Sequence, residues 1–181
     1  MRRVSVVGNS GSGKSTIARQ LAQALHVPYV ELDSLFHQPG WQPLPVPEFR
    51  DIVRQQTRED SWVIDGNYSA VRDIVWERAD TVVWFDLPRA VVMRQLIGRT
   101  LRRAVAREEL WNGNREPWQN FLSWDPEKSV ISWAWRKHAE YHSRYAAAAA
   151  DAANGDPAFV QLKNRADARR LVESAWSATR V

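Results

Sequence analysis

The run Gly8-Asn9-Ser10-Gly11-Ser12-Gly13-Lys14-Ser15, followed by Thr16, fits the spacing G-x-x-x-x-G-K-[ST]. Glycines at those places let the chain turn so that successive backbone N–H groups point inward, and a following helix adds the positive end of its dipole. Lys14 then reaches the outer phosphates of a nucleoside triphosphate, and the Ser15 hydroxyl can bind Mg²⁺. The flanks agree with this reading. Val4-Ser5-Val6-Val7 reads as a short buried strand, and Thr16 to Leu25 has helical spacing, with Ile17, Leu21 and Leu25 four apart. Strand, glycine loop and helix N-terminus together imply a bound nucleoside triphosphate.

Two carboxylates stand at predicted strand ends. Asp65 closes Ser61-Trp62-Val63-Ile64 and precedes Gly66, where a carboxylate beside a phosphate loop would hold the Mg²⁺ water shell; its plainer role is a turn aspartate. Asp33 ends the segment from His26. There it either accepts a proton from, or binds, a substrate hydroxyl, or it caps Ser34-Leu35-Phe36. Asp86, before Leu87-Pro88, is a similar strand-end carboxylate, or it caps the helix that follows Pro88. Arg99, Arg103 and Arg107 recur at i, i+4, i+8 with Arg102 beside them, and no acid or lysine lies between Arg94 and Arg107. A solvated face would mix charges, so these guanidinium groups are read as phosphate contacts. His26, His37, His138 and His142 show no trusted ligand spacing and are read as surface or packing residues.

The elements that must position these groups follow from periodicity. Strands are expected near 4–7, 29–33, 61–65, 81–86 and 158–162, with helices near 16–25, 47–58, after Pro88, from about Pro126 into the alanine tract, and 167–177. Thr81-Val82-Val83-Trp84-Phe85 is apolar throughout, as in a parallel sheet covered on both faces. Alternating strands and helices imply a doubly wound α/β fold with right-handed crossovers. The 181 residues read as one domain, interrupted by irregular stretches at 34–47 and 108–125.

Composition narrows the class. No apolar run approaches the ~18 residues of a membrane span, Met1-Arg2-Arg3 leads into a strand without a signal sequence, and there is no cysteine. A cytoplasmic protein is expected, with no thiolate metal site. The net charge of +4 arises from arginine clusters, better suited to phosphate handling than to DNA. Ten tryptophans are read as core or as the walls of a pocket.

Taken together, these pieces resemble the adenylate-kinase-like branch of P-loop kinases. Asp86-Leu87-Pro88 with Gly98-Arg99 is similar to that family's strand end and lid entry, and Asp65-Gly66 to its Asp-Gly. Glu31-Leu32-Asp33-Ser34-Leu35-Phe36, Pro39-Gly40-Trp41 and Trp62-Val63-Ile64-Asp65-Gly66-Asn67-Tyr68 look like a bacterial group labelled adenylate-kinase-related or DNA topology modulation proteins. The resemblance implies a three-layer P-loop kinase fold with a five-stranded parallel sheet and a helical lid. It places an acceptor module at about 34–60 and the lid at about 108–125. It implies an Mg·ATP-dependent phosphotransferase in which Gly8 to Thr16 bind ATP, Ser15 and Asp65 hold Mg²⁺, and Lys14, Asp33, Arg99 and Arg103 serve the transfer. Asn67-Tyr68-Ser69 departs from the adenylate kinase pattern, and Glu31-Leu32-Asp33 is nearer to shikimate- and gluconate-type kinases, which counts against AMP; the expected acceptor is a nucleotide or another small hydroxyl or phosphate compound. A nucleotide-gated DNA-binding protein and a bare ATPase switch are the alternatives.

Overall fold

The computed structural model describes residues 1–106, 109–114, 130–152 and 157–179. In chain order, β1 (Arg3–Gly8) leads through the glycine loop into α1 (Lys14–Leu25), β2 (Tyr29–Glu31) and the short α2 (Leu32–Phe36). A small hairpin follows, β3 (His37–Gln38) and β4 (Gln42–Pro43), then α3 (Val46–Thr57), β5 (Trp62–Asp65), α4 (Arg72–Arg78) and β6 (Thr81–Phe85). The long α5 (Arg89–Ala106), α6 (Val130–Asp151), β7 (Ala158–Leu162) and α7 (Arg165–Thr179) complete the described elements.

Five strands form one parallel sheet in the order β2-β5-β1-β6-β7, with Val6 opposite both Asp65 and Val83. That order puts β1 at the centre, so the loop that leaves it opens at the carboxyl edge of the sheet between its two neighbours, where ligands of such folds bind. Side chains alternate between the faces. Val4, Val6, Val63, Val83 and Phe85 pack against α1 and α7, while Trp62 and Ile64 meet α3 and α4, and Val7, Val82 and Trp84 meet α6. Both faces are covered, which is why these strands carry almost no polar side chain. The three-layer doubly wound arrangement expected from the sequence is the observed one.

Local chemistry accounts for the boundaries. His26 ends α1 in the left-handed conformation (φ 54°), its N–H returning to the carbonyls of Ala22 and Gln23, and its ring lies edge-on to Trp176 at 5.8 Å. It is a packing residue, as the sequence suggested. The second strand is shorter than expected. It stops at Glu31, and Asp33 falls in the first turn of α2. The cap position of α2 is Glu31, so Asp33 is not the helix cap.

Candidate active site

The phosphate loop is held by three separate parts of the fold. Gly11 (φ 83°) rests on α5, where an added Cβ would sit 2.7 Å from Leu96 Cβ and 3.0 Å from the Val92 carbonyl oxygen, so glycine alone fits. Asn9 reaches α6, its Nδ2 donating to the Ala134 carbonyl at 2.8 Å while its Oδ1 accepts the Ser10 N–H at 2.9 Å. Behind the loop, Asn67 Oδ1 accepts the Gly8 N–H at 3.0 Å, and its Nδ2 donates to the Gly8 carbonyl. Tyr145 on α6 donates its hydroxyl to the same Asn67 oxygen at 3.1 Å.

This bracing leaves the mouth of the loop open. Gly13 (φ 90°) is the N-cap of α1 and no side chain caps the helix, so the first-turn amides have no intrahelical acceptor. An anion at that end satisfies them and meets the positive end of the helix dipole. Lys14, Ser15 and Thr16 lie in that first turn, so the whole predicted run Gly8 to Thr16 forms a single structure.

Asp65 stands beside it at the end of β5, 2% exposed. Burial raises its carboxyl above the ordinary range, while the Lys14 ammonium and the Ser15 hydroxyl oppose the rise; Asp33 and Glu31 add to it. One oxygen, Oδ1, is buried with no hydrogen-bond partner among the described residues, and Oδ2 receives the Tyr29 hydroxyl at a long 3.4 Å. A buried carboxylate oxygen left without a donor, next to a hydroxyl, is the donor set of a hard cation such as Mg²⁺. The residues present fit that ion.

Asp33, in the first turn of α2, is half-buried. Tyr68 donates its hydroxyl to Asp33 Oδ1 at 2.7 Å, and the same hydroxyl lies 3.3 Å from His37 Nε2. Burial lowers His37 below the usual histidine range and, with the neighbouring Asp33 carboxylate, raises the Tyr68 phenol. His37 is therefore part of the Asp33 surroundings, and its reading as a mere packing residue is corrected. Around it stand Trp41, with ring centroids 5.3 Å away, and Trp111, stacked at 6.0 Å.

The arginines separate by burial. Arg99 is half-buried and its Nη2 donates to Ser10 Oγ in the phosphate loop at 3.1 Å. Arg103, one turn on, is also half-buried, while Arg94 and Arg102 are exposed; Arg107 lies outside the described residues. Arg136, on α6, is exposed. Asp86 spends both oxygens elsewhere, on His142 Nδ1 at 2.7 Å and Gln161 Nε2 at 2.8 Å, and His138 Nε2 meets the Leu87 carbonyl at 3.0 Å. His138 and His142 thus tie α6 to the end of β6. Of the expected lid, 109–114 is described, while Trp118 and Trp124 lie outside the described residues.

Sequence reasoning did not single out Asn67, Tyr68, Asn112 or Asn114. The first two were visible only as part of longer motifs, the Asn-Tyr after Asp65-Gly66, with no role attached. Their partners lie 31 to 78 residues away, beyond any local pattern.

The loop, the buried carboxylate beside it and the sheet order define a P-loop kinase of small molecules. The shikimate kinase family model matches residues 10–45. Shikimate kinase of Corynebacterium efficiens is 30% identical over 119 residues, covering 59% of this chain and 70% of that protein. Among solved structures, shikimate kinase from Bacteroides thetaiotaomicron superposes with a TM-score of 0.55 at 16% identity, over 99% of both chains. A gluconokinase from Sinorhizobium meliloti gives 0.50 at 18% identity, over 98% of this chain and 97% of that one. The chain belongs to the shikimate kinase family. It is an ATP-dependent kinase, using Mg²⁺, that phosphorylates a small acceptor.

Proposed function

We propose that the crevice between the phosphate loop and α2 transfers the γ-phosphoryl group of ATP to a hydroxyl of a small polyhydroxylated compound. The observation that carries this reading is Asp65. Its carboxyl is buried at the end of β5 with Oδ1 unpartnered among the described residues, and it interacts with Lys14 and Ser15 of the phosphate loop as well as with Asp33 of α2. Loop amides from Gly8 to Thr16 and the Lys14 ammonium take the phosphates, and Ser15 and Asp65 hold Mg²⁺. When bound, the ion neutralises charge on the outer phosphate oxygens. Arg99 and Arg103 stabilise the transferring group, Arg99 turning from Ser10 to phosphate.

Asp33 receives the proton. The acceptor oxygen attacks the γ-phosphorus, its O–H proton passes to Asp33, the bond from phosphorus to the β,γ-bridging oxygen breaks, and ADP leaves. Residues 34–60 form the acceptor module and about 108–125 the lid, within one domain and in the cytoplasm. Among the described residues no helix is long and apolar enough to cross a membrane.

The matched relatives are named shikimate kinases, which makes shikimate the first acceptor to try. The test is ADP release from Mg·ATP with shikimate, gluconate, other polyols and nucleoside monophosphates. Turnover with a polyol well above the rate with water supports the reading. Turnover confined to a nucleoside monophosphate, or no turnover with any hydroxyl compound, overturns it.

A further inference from the structure

Residues 109–114 are fastened to the acceptor loop by an unusual set of contacts. Asn112 Nδ2 donates to the carbonyls of Ser34 and His37, at 3.1 and 2.6 Å. Asn114 Nδ2 donates to the Gln38 carbonyl at 3.0 Å, while its Oδ1 accepts the Trp41 N–H at 2.9 Å. These amides do for the turn between β3 and β4 what a neighbouring strand would do, across 73 to 78 residues of sequence. The turn needs support, because Gly40 and Trp41 are both left-handed there, at φ 72° and 59°. Within 109–114 the Leu110 N–H closes onto the Asn114 carbonyl at 2.7 Å, so the two asparagines are presented on a tight loop. Asn114 is 4% exposed, which makes its amide costly to leave unpaired.

The contacts lead from this loop to the acceptor carboxylate. Trp111 stacks on His37, and Trp41 meets the same ring edge-on. The Tyr68 hydroxyl has one proton, and it goes to Asp33, since a carboxylate only accepts. The second contact of that hydroxyl must then be a donation from His37 Nε2–H, which leaves Nδ1 without a proton on the neutral ring. His37 Nδ1 is indeed buried with no hydrogen-bond partner among the described residues. Asp33 is therefore oriented by Tyr68, Tyr68 by His37, and His37 by the loop that Asn112 and Asn114 secure.

We propose that Asn112 and Asn114 are positioning residues of the acceptor site, holding the 34–43 loop so that His37 and Tyr68 fix the Asp33 carboxylate. The assignment of Asp33 as the acceptor-facing group belongs to the proposed function above. A consequence is that residues 109–114 and the acceptor loop form one body, although they are far apart in sequence.

The test compares the wild-type protein with Asn112→Ala/Asn114→Ala by amide hydrogen exchange and by ¹⁵N spectra of the imidazoles. Wild-type His37 is expected as the single Nε2–H tautomer. In the double variant the Trp41 amide should exchange at least about tenfold faster, and the His37 signals should average between tautomers, with α1 protected as before. A purely structural role would not move the tautomer. A folded double variant with wild-type exchange at Trp41 and the wild-type His37 tautomer would overturn the proposal. Should the double variant not fold, Asn112→Ala alone is read in the same way, an unchanged His37 tautomer counting against the proposal. Neither readout requires turnover, so an acceptor screen that fails leaves this result standing, and the reverse.

Discussion

The side-chain amide of Asn67 brackets the backbone of Gly8, accepting its N–H at 3.0 Å and donating to its carbonyl. The first residue of the phosphate loop is thereby held by a group that belongs neither to the loop nor to its strand partners. An amide does both without a change of protonation, having a donor and an acceptor on one planar end. Asn67→Asp should be worse than Asn67→Ala, because a carboxylate would face the Gly8 carbonyl without a proton to give. Loss of either bond at a part-buried site costs about 1–3 kcal/mol. Urea unfolding with and without Mg·AMP-PNP measures it; equal stability of Asn67→Asp and wild type in both conditions would refute the assignment.

Lys14→Ala should leave the fold intact and remove ATP affinity, since Lys14 is the side-chain cation of the α1 first turn. Calorimetry of Mg·ATP binding decides this, and undiminished affinity in a folded variant would be incompatible with the site as drawn.

Asp65 gives a prediction with a sign in pH. Its folded carboxyl is raised by burial, so above the ordinary carboxyl range the unfolded chain ionises while the folded chain still holds the proton. Without metal, that group should lower stability as pH rises through the window between the ordinary value and the raised one, the penalty then remaining. Asp65→Asn should remove this slope and raise the melting temperature of the nucleotide-free protein near pH 7. The rise should be about 2–4 °C for each kcal/mol of burial penalty relieved. The same variant should lose the extra stabilisation that Mg²⁺ adds to bound ATP. Thermal melts across pH 4 to 8, with and without Mg·ATP, carry the test, and an unchanged pH slope in the variant would contradict it.

Arg99→Ala and Arg103→Ala should each lower kcat, by a factor of ~10³ or so for a group that acts in the transition state, with modest change in ATP affinity. Arg94→Ala, on an exposed position of the same helix, should do neither. A DNA-binding role for these arginines predicts another pattern: unchanged ATP turnover, with a salt dependence of DNA affinity flattened by about one unit of slope per lost contact. Measuring turnover and DNA affinity on the same variants separates the two.

How much of this was legible in the sequence depended on whether the signal was local. β1, β5, β6 and β7 were readable because each is a short apolar run between turn residues, and the phosphate loop because its chemistry is contiguous. α4 was missed. Its apolar residues Ile74, Val75 and Trp76 are consecutive and lack helical spacing over its seven residues. Asp33 was placed on a strand because Tyr29, Val30 and Leu32 favour an extended run, yet pairing with β5 stops at Glu31, opposite Asp65. The acceptor side was the least readable part. His37, Tyr68, Asn112 and Asn114 acquire meaning only from tertiary contacts, and four scattered polar residues resemble any solvated loop until the chain is folded.

The strand order has one more consequence, for how this chain emerges from a ribosome. β1 is made before both of its partners, β5, from Trp62, and β6, ending at Phe85. Its backbone groups find neither partner until β5 and then β6 have been translated, and β6 in turn waits for β7 beyond residue 157. During that interval a hydrophobic strand with open edges precedes a glycine loop that has nothing to rest on, the condition in which nascent chains recruit chaperones or associate. Gly11 and Asn9 meet α5 and α6 only after those helices have been made, so the phosphate loop gains this bracing late in translation.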